Sequence, residues 1–168
     1  KAAESGYYII ISSSQESRLN EKENLKNLLN LRVDGLIVCL AQDTTDHAHF
    51  DNILTSEVPL VFIDRVCRTN EFSSVVIDNI EAAKELTIHL FRNGFRKIAH
   101  IAGPTNLNIT KERIKGYRLG LDECGLKFDP KFLLHCNLSI EEAAVVTNKL
   151  LSLKTRPDAI VGVNETVI

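Results

Sequence analysis

The chain has 168 residues, 44% hydrophobic and 25% charged, with a formal net charge of −2. That profile fits one ordinary soluble domain or two small lobes. It lacks the basic stripe of a DNA-binding domain, and it lacks the roughly 20-residue apolar run needed to span a membrane.

The predicted elements alternate between strand and helix. Residues 1–5 (KAAES) ahead of Gly6 read as the last turn of a helix and its glycine stop. Tyr7–Ser12 is an apolar run of strand length, and Asn20–Leu31 carries leucines at helical spacing (Leu25, Leu28, Leu29). Leu36–Leu40 predicts a second strand. A short helix around Phe50, Ile53 and Leu54 follows an acidic loop, and Pro59 introduces the strand Leu60–Ile63. After a polar loop, Ser74–Ile77 is the next strand. Asn79 or Asp78 can cap a helix that buries Ile80, Ala83, Leu86 and Leu90 and ends at Asn93-Gly94.

Lys97–Ala102 is a strand. Thr110 is a candidate N-cap for Lys111–Glu123, whose face is Ile114, Tyr117 and Leu121; Gly125 ends it. Phe132–Cys136 is a strand, and Ser139 with Glu142 forms a capping box for a helix running to about Leu153. Ala159–Val163 is the last strand. Residues 164–168 read as the opening turn of a further helix, so the chain reads as a fragment of a longer protein.

Continuous apolar strands alternating with amphipathic helices predict α/β architecture, with parallel sheets covered on both faces. Two such sets divide near Asp78, giving lobes over 1–78 and 79–168, each incomplete. No Gly/Ser/Pro linker separates them. The four cysteines, Cys39, Cys67, Cys124 and Cys136, form no C-x-x-C pair and no zinc spacing. Cys39 and Cys136 lie in apolar runs and read as buried, reduced thiols of a cytosolic protein.

In open α/β sheets ligands bind beyond the carboxyl ends of the strands. Asp64, the segment Thr105–Thr110, Asn137, Leu138, Asn164 and Glu165 occupy such ends, and Arg113 lies just inside the following helix, in its first turn. If the lobes face each other, these residues converge. An aspartate, an arginine fork and an asparagine suit a polyhydroxylated or amide-bearing small molecule. Asp64 could equally cap its own loop, and Asn164 could be only a helix cap. Arg113 could pair with Glu112, Asp122 or Glu123, but the macrodipole opposes a structural cation at a helix N-terminus.

The loop Asp43–Asp51 (DTTDHAHFD) has metal-like composition, but its histidines sit two apart, and a solvated acidic loop is the favoured reading. There is no G-x-S-x-G, Walker A or G-x-G-x-x-G, so neither catalysis nor a cofactor is expected. Arg92, Arg96 and Lys97 cluster at a helix end, where the dipole favours cations.

The segments VDGLIV, VPLVFIDR, SVVIDNIEAAKELTIHLFRNGFRKIAHIAG, ERIKGYRLGLDECGL and RPDAIVGVNE resemble the ligand-sensing core of LacI/GalR-type transcription regulators, from about Gly6 to the C-terminus. The resemblance implies a type I periplasmic-binding-protein-like fold of two Rossmann-like lobes. It implies effector contacts at Asp64, Arg113 and Asn164, with Leu138 where an aromatic ring often stacks. Asn106 and Asn108 lie in the variable segment that sets ligand identity. Departures from the family pattern are Asn164-Glu165 for the usual Asn-Asp, Gly94-Phe95 for the usual Gly-His, and Leu138 itself. The resemblance further implies a cytoplasmic homodimer, a sugar-like effector, and DNA contact through an N-terminal headpiece outside this sequence. Periplasmic sugar-binding receptors share the fold, so a solute receptor for transport or chemotaxis is the alternative function. An α/β enzyme is a more distant one.

Overall fold

The computed structural model describes residues 2–167, so Lys1 and Ile168, the outermost residues of the two expected terminal turns, lie outside the described residues. The chain forms two compact units, Lys1–Val75 and Val76–Ile168.

The first unit contains α1 (Arg18–Asn30), β1 (Leu36–Val38), a 3-10 turn Ala48–Phe50 running into α2 (Asp51–Leu54), β2 (Leu60–Ile63) and β3 (Ser73–Val75). The strands form one parallel sheet in the order β1-β2-β3, with Leu36 opposite Leu60 and Phe62 opposite Ser74. One face is packed. Leu25 of α1, Phe50, Ile53 of α2, Leu36, Leu60, Phe62, Cys67 and Phe72 make a single cluster. Phe50, Phe62 and Phe72 meet edge to face within it, the arrangement ring quadrupoles prefer.

Two sequence expectations fail in this unit. Tyr7–Ser12 is not a strand: it pairs with none of β1, β2 or β3, and Tyr8 and Ile11 are 99% and 90% exposed. Apolar, β-branched composition supplies propensity, but a strand exists only where a neighbour takes its N–H and C=O groups. The sheet is also not covered on both faces. Ile37, Ile63 and Val75 are exposed, because strand side chains alternate and the helices pack on one side only.

The second unit contains α3 (Asn79–Arg92), β4 (Ile98–Ala102), α4 (Asn108–Glu123), a 3-10 turn Pro130–Phe132, β5 (Leu133–His135), α5 (Ile140–Leu151), β6 (Ala159–Gly162) and a 3-10 turn Glu165–Val167. Its parallel sheet has the order β5-β4-β6. The central strand β4 is buried throughout. Ala99 and Ile101 pack with α5, and Ile98 packs with Tyr117 and Leu121 of α4. Here both faces are covered, as the continuous apolar run IAHIA predicts.

Three local expectations are refined. Asp78, not Asn79, caps α3, accepting from Glu81 N–H. α4 starts at Asn108 with Leu107 at its N-cap, so Thr110 is not the cap. It is a helical residue only 1% exposed. Ser139 Oγ accepts from Glu142 N–H, but the Glu142 carboxylate accepts from Asn137 N–H rather than from Ser139. The Ser139 amide is taken by Asn137 Oδ1. The α3 face also differs: Asn79, Ala83, Thr87 and Ile88 are its buried residues, while Leu86 is 44% exposed.

Small residues set how α3 meets α4. A Cβ on Gly116 would lie 2.1 Å from Ile80 O and 2.9 Å from Ala83 Cβ, and one on Gly120 would lie 2.7 Å from Thr87 Cβ. Two glycines four apart on α4 let the helix backbones approach more closely than any side chain would permit. All four cysteines are free thiols. Cys136 is buried as expected, and so is Cys67, whereas Cys39 is exposed, because β1 ends at Val38 and the chain leaves the sheet there.

Candidate functional site

In the second unit the carboxyl ends of the strands and the start of α4 come together. Gly103 follows β4, Leu138 follows β5, and Val163-Asn164 follow β6. A Cβ on Gly103 would sit 2.9 Å from Thr110 Oγ1, 3.3 Å from Leu138 Cδ2 and 3.6 Å from Val163 Cγ2. Glycine at this position therefore allows the three ends to converge. Leu138 has φ 69° and packs against the cluster of Ala99, Ile101 and Val163. Its side chain is aliphatic, with no ring to stack.

Arg113 is the sixth residue of α4, in its second turn rather than its first, because the helix begins two residues earlier than Thr110. The dipole argument is correspondingly weaker there. What holds the side chain is specific. Its Nε–H donates to Asn79 Oδ1 at 2.9 Å, and Nη1 donates to the Val163 carbonyl. Among the described residues it forms no ion pair with Glu112, Asp122 or Glu123. The guanidinium thus lies at the carboxyl end of β6, on the carbonyl of the residue that precedes Asn164. Asn164 Oδ1 and Thr110 Oγ1 are buried and have no hydrogen-bond partner among the described residues. A helix-capping role for Asn164 through that oxygen is therefore not realised.

A concavity of about 160 Å³ opens beside Arg113, with Ile77, Asn79, Leu86, His100 and Val163 also in its wall; Thr110, Leu138 and Asn164 are not part of that wall. His100 is 1% exposed and shares its Nδ1 with the Val161 carbonyl at 3.0 Å. Burial lowers its imidazole to about 4, against the help of that carbonyl, so the ring is neutral near pH 7. Tyr117 lies beside it, ring centroids 5.3 Å apart, and donates its hydroxyl to Ile98 O.

In the first unit Asp64 directly follows β2 with φ 58°, its N–H bonded to Val75 O at 3.3 Å and its side chain exposed. Its carboxylate makes no hydrogen bond to the amides of the following loop among the described residues, so the capping alternative is not formed. The neighbouring Arg65 clamps Glu16 through both Nη atoms and donates to Leu40 O at 3.1 Å, while Gln42 N–H donates to Glu16. Burial works against the Glu16 charge, but Arg65 holds the carboxyl below the usual range. This clamp ties the segment around Gln15 and Glu16, both at positive φ, to the ends of β1 and β2.

The Asp43–Asp51 loop leads into α2 with Asp43, Asp46 and Asp51 exposed, as the solvated acidic loop expected, but Thr44 and His49 turn inward. His49 Nε2 and Thr44 Oγ1 each lie 2.8 Å from Glu21 Oε1, and Ala41 N–H donates to Glu21 Oε2 at 2.6 Å. Glu21, Thr44 and His49 are all buried. Asp46 pairs with Arg18, and Asp51 pairs with Arg68. Among the described residues no group of His, Cys, Asp and Glu could hold a metal ion. Sequence reasoning passed over Glu21 and read Asn79 only as a candidate cap. The signal for Glu21 was present: it lies one turn before Leu25, on the apolar face of α1.

Comparison with known proteins places these features. Residues 2–168 match the family described as periplasmic binding proteins and sugar binding domain of LacI family. The chain belongs to that family. The LacI-family chain is similar to the maltose regulon regulatory protein MalI of Escherichia coli, 33% identical over 140 residues, covering 83% of this chain and 41% of MalI. It is also similar to catabolite control protein A of Priestia megaterium, 30% identical over 164 residues, covering 96% of this chain and 49% of that protein. Among solved structures it resembles the transcriptional regulator CelR in complex with cellobiose. The TM-score is 0.80 at 25% identity, over 98% of this chain and 50% of that one. The chain spans about half the length, or less, of these curated relatives. Among the described residues no helix is long and apolar enough to cross a membrane.

Proposed function

We propose that this chain is the effector-sensing core of a LacI/GalR-type transcription regulator. Its two units are the two lobes of that core. Arg113 and Asn164 of the second unit and Asp64 of the first supply the polar contacts to a small sugar-like metabolite, and Leu138 supplies an apolar one. DNA is bound by an N-terminal headpiece outside this sequence, in a cytoplasmic homodimer. The effector shifts operator affinity only as far as it binds one arrangement of the core better than the other. The chain itself carries out no catalysis.

The observation that carries this reading is the Arg113 guanidinium held on the Val163 carbonyl at the carboxyl end of β6, in a chain of this family. The relatives described above are transcription regulators, which favours a regulator over a solute-binding receptor. The test is calorimetric titration of the full-length protein with cellobiose, maltose and related sugars, alongside Arg113→Ala. The variant is expected to lose roughly 1.5–3 kcal/mol of binding, the usual worth of a hydrogen bond to a charged group. Unchanged affinity in a folded variant refutes the role of Arg113. An operator gel shift that ignores a bound sugar refutes the regulator.

A further inference from the structure

We propose that Asn79 is a positioning residue: it fastens the Nε edge of Arg113, so that a ligand meets this arginine only through its Nη groups. The inference rests on reading Arg113 as the effector contact.

Asn79 is the first residue of α3 and only 3% exposed. Its side chain is available because Asp78 performs the capping. Its Oδ1 accepts from Arg113 Nε at 2.9 Å, and its Nδ2 donates to Glu112 Oε2 at 3.0 Å. The two partners dictate which way round the amide lies, since a guanidinium only donates and a carboxylate only accepts. The Val163 carbonyl then takes Nη1. An arginine side chain has many rotamers to lose, and here much of that freedom is removed before any ligand arrives.

The arrangement also selects among ligands. An arginine grips a carboxylate or phosphate side-on through two parallel N–H groups. With Nε–H committed to Asn79, that side-on fork is closed, and the end-on edge keeps Nη2 but shares Nη1 with the Val163 carbonyl. The remaining Nη donors suit hydroxyls or a single oxyanion oxygen. The geometry depends on the close approach of α3 and α4 at Gly116 and Gly120, because Asn79 and Arg113 lie on these two helices.

The test uses the full-length protein. Exchange of the Arg113 Nε–H is followed by ¹⁵N NMR in wild type, Asn79→Ala and Asn79→Asp, with the exposed Arg156 as reference. Cellobiose affinity is measured for Asn79→Ala, Arg113→Ala and the double variant. Protection of Nε–H is expected in wild type and in Asn79→Asp, which keeps the acceptor, and is expected to be lost in Asn79→Ala. Asn79→Ala should weaken cellobiose binding about tenfold when Arg113 is present and not at all when it is absent. Equal losses in both backgrounds overturn the proposal, as does a wild-type Nε–H that exchanges as fast as in Asn79→Ala. If Arg113→Ala leaves cellobiose binding unchanged, the ligand reading of Arg113 fails, and ligand selection by Asn79 fails with it. The exchange comparison then reports separately on whether Asn79 holds Arg113.

Discussion

Gly116→Ala tests how the second unit is built. A methyl group at this position would lie 2.1 Å from Ile80 O and 2.9 Å from Ala83 Cβ. The first obstacle is backbone, so it cannot rotate away, and α3 and α4 must part by roughly 1 Å to restore ordinary contact. Helix propensity favours the substitution by about 1 kcal/mol. Overpacking typically costs about 1–3 kcal/mol, and an immovable carbonyl places this site at the upper end. The net expectation is a loss of about 2 kcal/mol, or roughly 4–8 °C in melting temperature for a domain of this size. Thermal and urea unfolding followed by circular dichroism would read it. A variant as stable as the parent would refute the claim that α3 and α4 are held in contact at Gly116, and with it the geometric basis for the Asn79–Arg113 bond.

Two further outcomes are expected. Glu21→Ala removes the buried acceptor shared by Thr44 Oγ1, His49 and Ala41 N–H. At about 1–3 kcal/mol for each stranded buried group, urea unfolding should show a loss of more than about 2 kcal/mol, and a loss under 1 kcal/mol would contradict the network. His100 titrates at about 4 in the folded chain, below its ordinary 6.5. Above 6.5 both states are neutral and the folded state keeps its full stability. As pH falls from 6.5 towards 4 the unfolded chain takes up a proton that the folded chain refuses, so stability declines, by up to roughly 3 kcal/mol. His100→Phe should flatten that part of the stability profile, and an unchanged slope would assign the effect elsewhere.

Much of this protein was legible from residue order alone. The run IAHIA announced a strand buried on both faces, and Asp78, Gly94, Gly125 and Ser139 marked helix ends, because caps and stops are local chemistry. Arg113 was legible as a residue of interest. Other features depended on residues distant in sequence. Tyr7–Ile11 has the composition of a strand and, among the described residues, no strand beside it, since pairing belongs to the neighbour as much as to the segment. Glu21 becomes a buried hub only because Ala41, Thr44 and His49 fold over it, 20 to 28 residues away. Arg113 acquires a defined orientation only because α3 brings Asn79 across 34 residues and β6 brings the Val163 carbonyl across 50. The sequence by itself determined the fold class, the alternation of elements and the types of polar group available at the strand ends. Which of those groups are spent on each other, and which are left without a partner, was decided by the tertiary structure. Hydrogen-bond partnership is a matter of a few tenths of an ångström between residues that the chain separates by tens of positions.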